Sequence, residues 1–118
     1  MSNEMIKFVP KGWGFEKWLV NNPEYCGKIL FMVKNKKLSW HYHIKKAETF
    51  YVHSGKILLK FSDQDDIDIC SSIILDKGDV FDIKRLMRHQ LIALEDSEIF
   101  EFSTTHYDED SYRLIKGD

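Results

Sequence analysis

At 118 residues, with 43% hydrophobic side chains including eight Phe, five Tyr and three Trp, the chain has material for one folded core and one domain, which excludes disorder. A formal charge of −2 gives no electrostatic basis for binding nucleic acid, and no apolar run is long enough to cross a bilayer as a helix, so neither a nucleic-acid nor a membrane partner is expected. The opening Met1 to Ile6 lacks the basic start and apolar stretch of a signal peptide, so a cytoplasmic location is expected; Cys26 and Cys70, in no metal or redox spacing, read as small hydrophobes in a reducing compartment.

In chain order, Lys28 to Val33 is an apolar run that stops at a turn, Lys34-Asn35-Lys36-Lys37. Leu38 to His43 resumes with aromatic residues, and Glu48 to His53 is rich in β-formers. Ser54-Gly55 reads as a tight turn into Lys56 to Phe61. After the acidic stretch Asp63-Gln64-Asp65-Asp66, a strand is expected over Ile67 to Leu75, ended by Asp76-Lys77-Gly78. Asp79 to Ile83, His89 to Leu94 and Glu98 to Ser103 complete the series. No segment is both long and periodic at helical spacing, so helix is expected to be minor and near a terminus. Many short strands at regular spacing predict an antiparallel all-β sandwich or barrel. Pro10 and Pro23 fall outside the proposed inner strands, as sheet hydrogen bonding requires.

The residues that carry chemistry are His41, His43, Glu48 and His89. Side chains alternate along a strand, so His41 and His43 share a face, with Tyr42 between them turned outward. A hairpin onto the Glu48 segment brings a carboxylate to the same space, Gly55 supplies the positive φ of the following turn, and His89 begins a distant strand that closes the site. Three imidazoles and a carboxylate suit one divalent transition metal (Mn, Fe, Co, Ni, Cu or Zn) better than Mg or Ca, and six-coordination leaves two positions for water or substrate oxygens.

These residues resemble the cupin superfamily. His41-x-His43-x4-Glu48-x6-Gly55 is similar to the histidine part of the first cupin motif, G-x5-HxH-x3,4-E-x6-G, with Asn35 in place of the opening Gly. Gly78 and His89 stand at the spacing of the second motif, G-x5-PxG-x2-H-x3-N, in which Lys84 replaces the Pro, Leu86 the second Gly and Ala93 the Asn. The turn leading to His89 is therefore expected to be built differently. The resemblance implies a single-domain cupin, a double-stranded β-helix or jelly-roll barrel. Lys11-Gly12-Trp13-Gly14, the Tyr51 to Gly55 turn and the tail Glu101 to Thr105 followed by Asp108-Glu109-Asp110 further resemble the cupin domain of type II phosphomannose isomerases, without the nucleotidyltransferase domain that often precedes it.

The acidic stretch Asp63 to Asp68 lacks the Gly and Glu of an EF-hand and reads as a solvated hairpin tip. Lys84, Arg85 and Arg88 precede His89 and are expected near the barrel mouth, where they would hold a substrate phosphate or carboxylate. Trp13, Trp18 and Trp40 read as core or interface residues. His53, Glu101 and His106 are the candidates for proton transfer, although Phe100 and Phe102 look like the core-facing residues of the last strand. Asp110 and Arg113 either cover the barrel or pair with one another.

The domain is expected to divide into an N-terminal arm at 1–27, a barrel core at 28–103 and a tail at 104–118. Phe8, Trp13, Phe15 and Trp18 in the arm exceed what one small barrel needs, which predicts packing on a second copy as a homodimer. The resemblance implies a metal-dependent isomerase of a sugar or sugar phosphate. A non-haem metal dioxygenase and a non-catalytic sugar-binding module are the alternatives on this fold.

Overall fold

A computed structural model describes residues 6–118; the leaderless reading of the first five residues lies outside that range. Eleven strands run in chain order: β1 Lys7–Lys11, β2 Gly14–Asn21, β3 Cys26–Met32, β4 Trp40–Tyr42, β5 Glu48–Ser54, β6 Lys56–Ser62, β7 Ser71–Asp76, β8 Val80–Ile83, β9 Arg88–Ala93, β10 Ser97–Ser103 and β11 Tyr112–Ile115. They form two antiparallel sheets, one ordered β1-β2-β3-β10-β5-β8 and the other β11-β4-β9-β6-β7. Among the described residues, no helix is long and apolar enough to cross a membrane.

Alternation in sequence decides the burial. In β3, Cys26, Lys28, Leu30 and Met32 are buried, and Gly27, Ile29 and Phe31 face the other way. The same period puts Glu48, Phe50 and Val52 of β5, and Ser97, Ile99 and Glu101 of β10, inside. The interior is thus two-part. Leu30, Met32, Phe50, Val52, Ile57, Leu59, Leu91, Ala93 and Ile99 belong to a single apolar core that fills one end. Lys28, Glu48, His89 and Glu101 each stand toward the other end of their strand and are just as buried. Polar groups gathered there need partners among themselves, because burial without them is costly.

Residues before Lys28 form β1 and β2, which extend the six-stranded sheet from β3. Pro10 sits on the edge strand β1, where a missing N–H disrupts no inner ladder. The tail returns as β11 onto the other edge, beside β4. The strand expected over Ile67 to Leu75 is broken: Ile67–Ile69 is a 3-10 turn and β7 starts only at Ser71. Asp66 causes this, since its side chain accepts from the Asp68 N–H at 2.9 Å and offers the backbone a local alternative to the ladder.

Candidate functional site

His41 on β4 and His89 on β9 are direct register partners across the second sheet, and His43 follows just past the end of β4. Their rings gather closely, with centroids 4.3 Å apart for His41–His89 and 4.9 Å for His41–His43. One nitrogen from each histidine falls within 4.8 Å of the other two, an arrangement that can hold one metal ion. Glu48 enters from the opposite sheet, its Oε1 at 3.1 Å from His43 Nε2 and 3.2 Å from His89 Nε2. Tyr42 faces outward and stacks on Tyr112.

The hydrogen bonds around the rings fix what the cluster suits. His41 Nδ1 donates to the Ser39 carbonyl at 2.9 Å, His43 Nδ1 to the Asp110 carbonyl at 3.0 Å and His89 Nδ1 to the Met87 carbonyl at 2.9 Å. A ring that donates from Nδ1 in this way presents, in its neutral form, an Nε2 lone pair on its far side. His43 and His89 aim theirs at a carboxylate oxygen, and Glu48 Oε1 and His89 Nε2 are buried without a hydrogen-bond partner. Acceptors converging on acceptors repel in a dry interior, and a divalent cation between them resolves the conflict. The donor set fits such an ion. Burial, followed by His89 and His43, keeps the His41 ring well below its ordinary pKa and hence neutral. Burial works against a charged Glu48, but its neighbours, Lys46 foremost, outweigh it and hold the carboxyl well below its usual range.

Lys46 is the centre of a second layer. Only 3% exposed, its Nζ lies 3.2 Å from Glu101 Oε2, 3.7 Å from Glu48 Oε2 and 3.2 Å from His106 Nδ1. Burial disfavours its charge, but Glu101 and Glu48 more than compensate and raise its pKa. Glu101 moves upward because burial and the neighbouring Glu48 both penalise its charge. His106 receives the Lys46 proton at Nδ1 and donates from Nε2 to Asp108 Oδ1 at 3.0 Å, so both of its nitrogens are engaged. Asp110 holds the loop that carries Lys46: its carboxylate accepts from the amides of Ile44, Lys45 and Lys46. That use of Asp110 replaces an ion pair with Arg113.

The three histidines, Glu48, Lys46, Glu101, His106 and Asp108 border one cavity of about 490 Å³, whose walls also include Trp13, Glu16, Trp18, Lys28, Phe50 and Arg113. Glu101 therefore faces inward at 5% exposure, contrary to the expectation that Phe100 and Phe102 do so; Phe102 is 54% exposed. The inward row at this end of β10 is polar because it borders the cavity rather than the core. Lys84, Arg85 and Arg88 do not reach the cavity and instead line a separate depression beside Phe61 and Ile69. Arg85 is tied to the Lys45 carbonyl, and Arg88 to Asp65 and the face of Tyr42. His53 lies outside the barrel, stacked on Phe100 near Glu98. Of the three proton-transfer candidates, Glu101 and His106 border the histidine cavity.

No protein-family model matches the chain, and no curated protein matches its sequence. Solved structures do match in three dimensions. The capsular polysaccharide assembling protein CapF from Staphylococcus aureus superposes at a TM-score of 0.82 and 20% identity over 93% of this chain and 32% of its own. KdgF from Halomonas sp. gives 0.74 and 17% over 92% of this chain and 95% of its own. An RmlC-like cupin from Shewanella frigidimarina gives 0.74 and 14% over 92% of each. This chain has a cupin fold. It spans about a third of the CapF chain and nearly all of KdgF.

Within this fold the departures from the two motifs have local solutions. Asn35, in place of the first glycine, adopts φ 71°, and Gly55 and Gly78 adopt φ 90° and 91°. Leu86, where the second motif has glycine, is forced to φ 70° although its side chain is 51% exposed. Its N–H donates to the His43 carbonyl at 2.8 Å, so the altered loop is fastened to one ligand strand and leads straight into another. Lys28 and Lys46, and the loop-anchoring role of Asp110, escape a reading of the sequence, because charged residues pass for solvated ones. The signal for two of them was spacing: Lys28 shares the strand face of Leu30, and Lys46 stands two residues before Glu48.

Proposed function

We propose that this chain is a metal-dependent isomerase of a sugar or sugar phosphate in which Glu101 moves a proton between adjacent carbons. The observation that carries the reading is a single cavity bordered on one side by the three histidines and Glu48 and on another by a buried carboxylate held by Lys46. His41, His43, Glu48 and His89 would hold a divalent transition metal (zinc, manganese, iron, nickel or cobalt), which would supply Lewis-acid polarisation of a substrate carbonyl and its neighbouring hydroxyl. Glu101 takes the proton from the carbon that bears this hydroxyl and returns it to the former carbonyl carbon, while the hydroxyl proton passes to the former carbonyl oxygen, so the substrate neither gains nor loses electrons or protons overall. Lys46 fixes the Glu101 Oε2, leaving the carboxylate oriented in the cavity wall. The alternative His106 has no free ring nitrogen, and His53 lies on the far side of the sheet. CapF, a capsular polysaccharide assembling protein, ties the same fold to carbohydrate chemistry.

The homodimer belongs to this reading as well: Phe8, 60% exposed, packs at a tilt against Phe15, which stacks on Phe31, an aromatic row on the six-stranded sheet. A monomeric mass by light scattering at micromolar concentration removes it.

Proton exchange tests the reaction. Metal-reconstituted protein incubated with aldoses, ketoses and their phosphates in deuterated water should exchange the C2 proton. Glu101→Gln should slow exchange by roughly a hundredfold or more at unchanged metal content. Absence of exchange on every sugar sinks the isomerase. Turnover only with iron, with O₂ consumed, replaces it with oxygen chemistry.

A further inference from the structure

At the rim of the cavity the exposed Arg113 has its backbone fixed by strand pairing and its charge unpaired among the described residues. Arg113 on β11 is the register partner of His41 on β4, and directly opposed residues of an antiparallel pair share a face. Its neighbour Tyr112 turns the other way to stack on Tyr42, and Arg113 borders the histidine cavity. The cations deeper in the cavity are occupied. Lys46 is bound by Glu101 and Glu48, while Lys28 lies 3.5 Å from Glu16 and over the Trp18 ring at 4.1 Å. Lys11 also reaches Glu16, at 4.0 Å. Among the described residues, Arg113 makes no side-chain hydrogen bond and has no carboxylate within 4.0 Å.

The charge of the lining points the same way. Lys11, Lys28, Lys46, Arg113 and Lys116 face Glu16, Glu48, Glu101, Asp108 and Asp118, a balance of five against five before any metal is counted. A divalent ion on the histidines makes the cavity net positive. A neutral sugar would leave that charge and the Arg113 guanidinium uncompensated, whereas an anionic one would meet both. Lys116 shares the excess but follows the end of β11, while strand pairing holds the Arg113 backbone beside a metal ligand.

We propose that the substrate of this site is a sugar derivative bearing a carboxylate or phosphate, and that Arg113 binds the anionic group. The guanidinium fork matches two oxygens of either group. This rests on the cavity being a substrate site but not on the reaction performed there.

The test is equilibrium binding of glucose, glucuronate and glucose 6-phosphate to the metal-loaded protein, followed by calorimetry, for the wild type, Arg113→Gln and Arg113→Lys. The wild type should bind one of the two anions about tenfold or more tightly than glucose, the range of a charge-assisted hydrogen bond. Which of them it prefers separates a carboxylate from a phosphate. Arg113→Gln should erase the advantage at unchanged metal content, and Arg113→Lys should restore part of it. Equal binding of all three by the wild type overturns the proposal. So does binding of none, or an anion advantage that survives in Arg113→Gln, which would assign the charge to the metal alone. Arg113-dependent anion binding without C2 exchange sinks the isomerase and keeps this proposal; exchange on neutral sugars with no anion preference does the reverse.

Discussion

Lys46 Nζ stands 3.2 Å from Glu101 Oε2 in a place where neither residue is more than 5% exposed. A buried ion pair is rarely a net source of stability, but deleting one partner strands the other charge. Here the lysine serves two carboxylates, one beside the histidines and one in the cavity wall.

Lys46→Met should therefore destabilise the protein by about 3–5 kcal/mol, read from the midpoint of urea denaturation. The double variant Lys46→Met/Glu101→Leu should recover part of that loss, since one stranded carboxylate is then gone. A single variant as stable as the wild type would mean that Lys46 carries no such burden.

Elemental analysis should find near one equivalent of a transition metal in the purified protein and none in His41→Ala/His89→Ala. Adding metal at about a hundred times its dissociation constant should stabilise the wild type alone, by roughly 2.7 kcal/mol. No metal in either protein after reconstitution with several cations removes the metal centre.

Leu86→Gly should stabilise the fold. A leucine at φ 70° bears a steric cost that glycine does not, and at 51% exposure it has little packing to lose. The expected gain is roughly 0.5–1 kcal/mol, visible as a higher melting temperature. A lower one would show that contacts of the Leu86 side chain outweigh the backbone strain.

His106 is pushed down to about 4, chiefly by burial and then by Lys28 and Lys46, with Asp108 opposing. The unfolded chain then binds the proton more readily than the native one between about pH 6.5 and 4, so this residue's contribution to stability is full above that window and falls away as the pH drops through it. In metal-free protein, denaturation midpoints of His106→Gln should decline less between pH 6.5 and 4 than those of the wild type. The His41 ring, also held low, preserves some slope in both. Parallel profiles would mean that His106 titrates normally.

The fold was legible because strand alternation and turn residues punctuate almost every element, and Gly55 and Gly78 do adopt the backbone their turns need. Gathering the three histidines was legible for the same reason, since two-residue spacing puts His41 and His43 together. The cavity wall was less so. Glu101 lies between two phenylalanines, and hydrophobicity alone turns the wrong face inward when a strand borders polar space on one side and carries an exposed Phe102 on the other. Nothing in the local sequence marks Asp110 as the acceptor for three amides more than sixty residues away. Nor did composition reveal that the basic residues before His89 turn toward a different depression.

All three histidines are aligned by main-chain oxygens, those of Ser39, Met87 and Asp110, and only His41 Nδ1 also has a side-chain oxygen, the Ser39 hydroxyl, at 3.1 Å. Side chains can be exchanged at Ser39 and Met87 without removing the oxygens that steer the rings, whereas the Asp110 carboxylate also anchors the loop that follows His43. Such a centre is insulated from drift in its surroundings, provided the path of the chain is kept. This accounts for a His89 that stays in register although the proline, glycine and asparagine expected around it have all been replaced. By the same logic, a designer could rewrite the neighbourhood of these ligands extensively and disturb their aim only by moving the backbone.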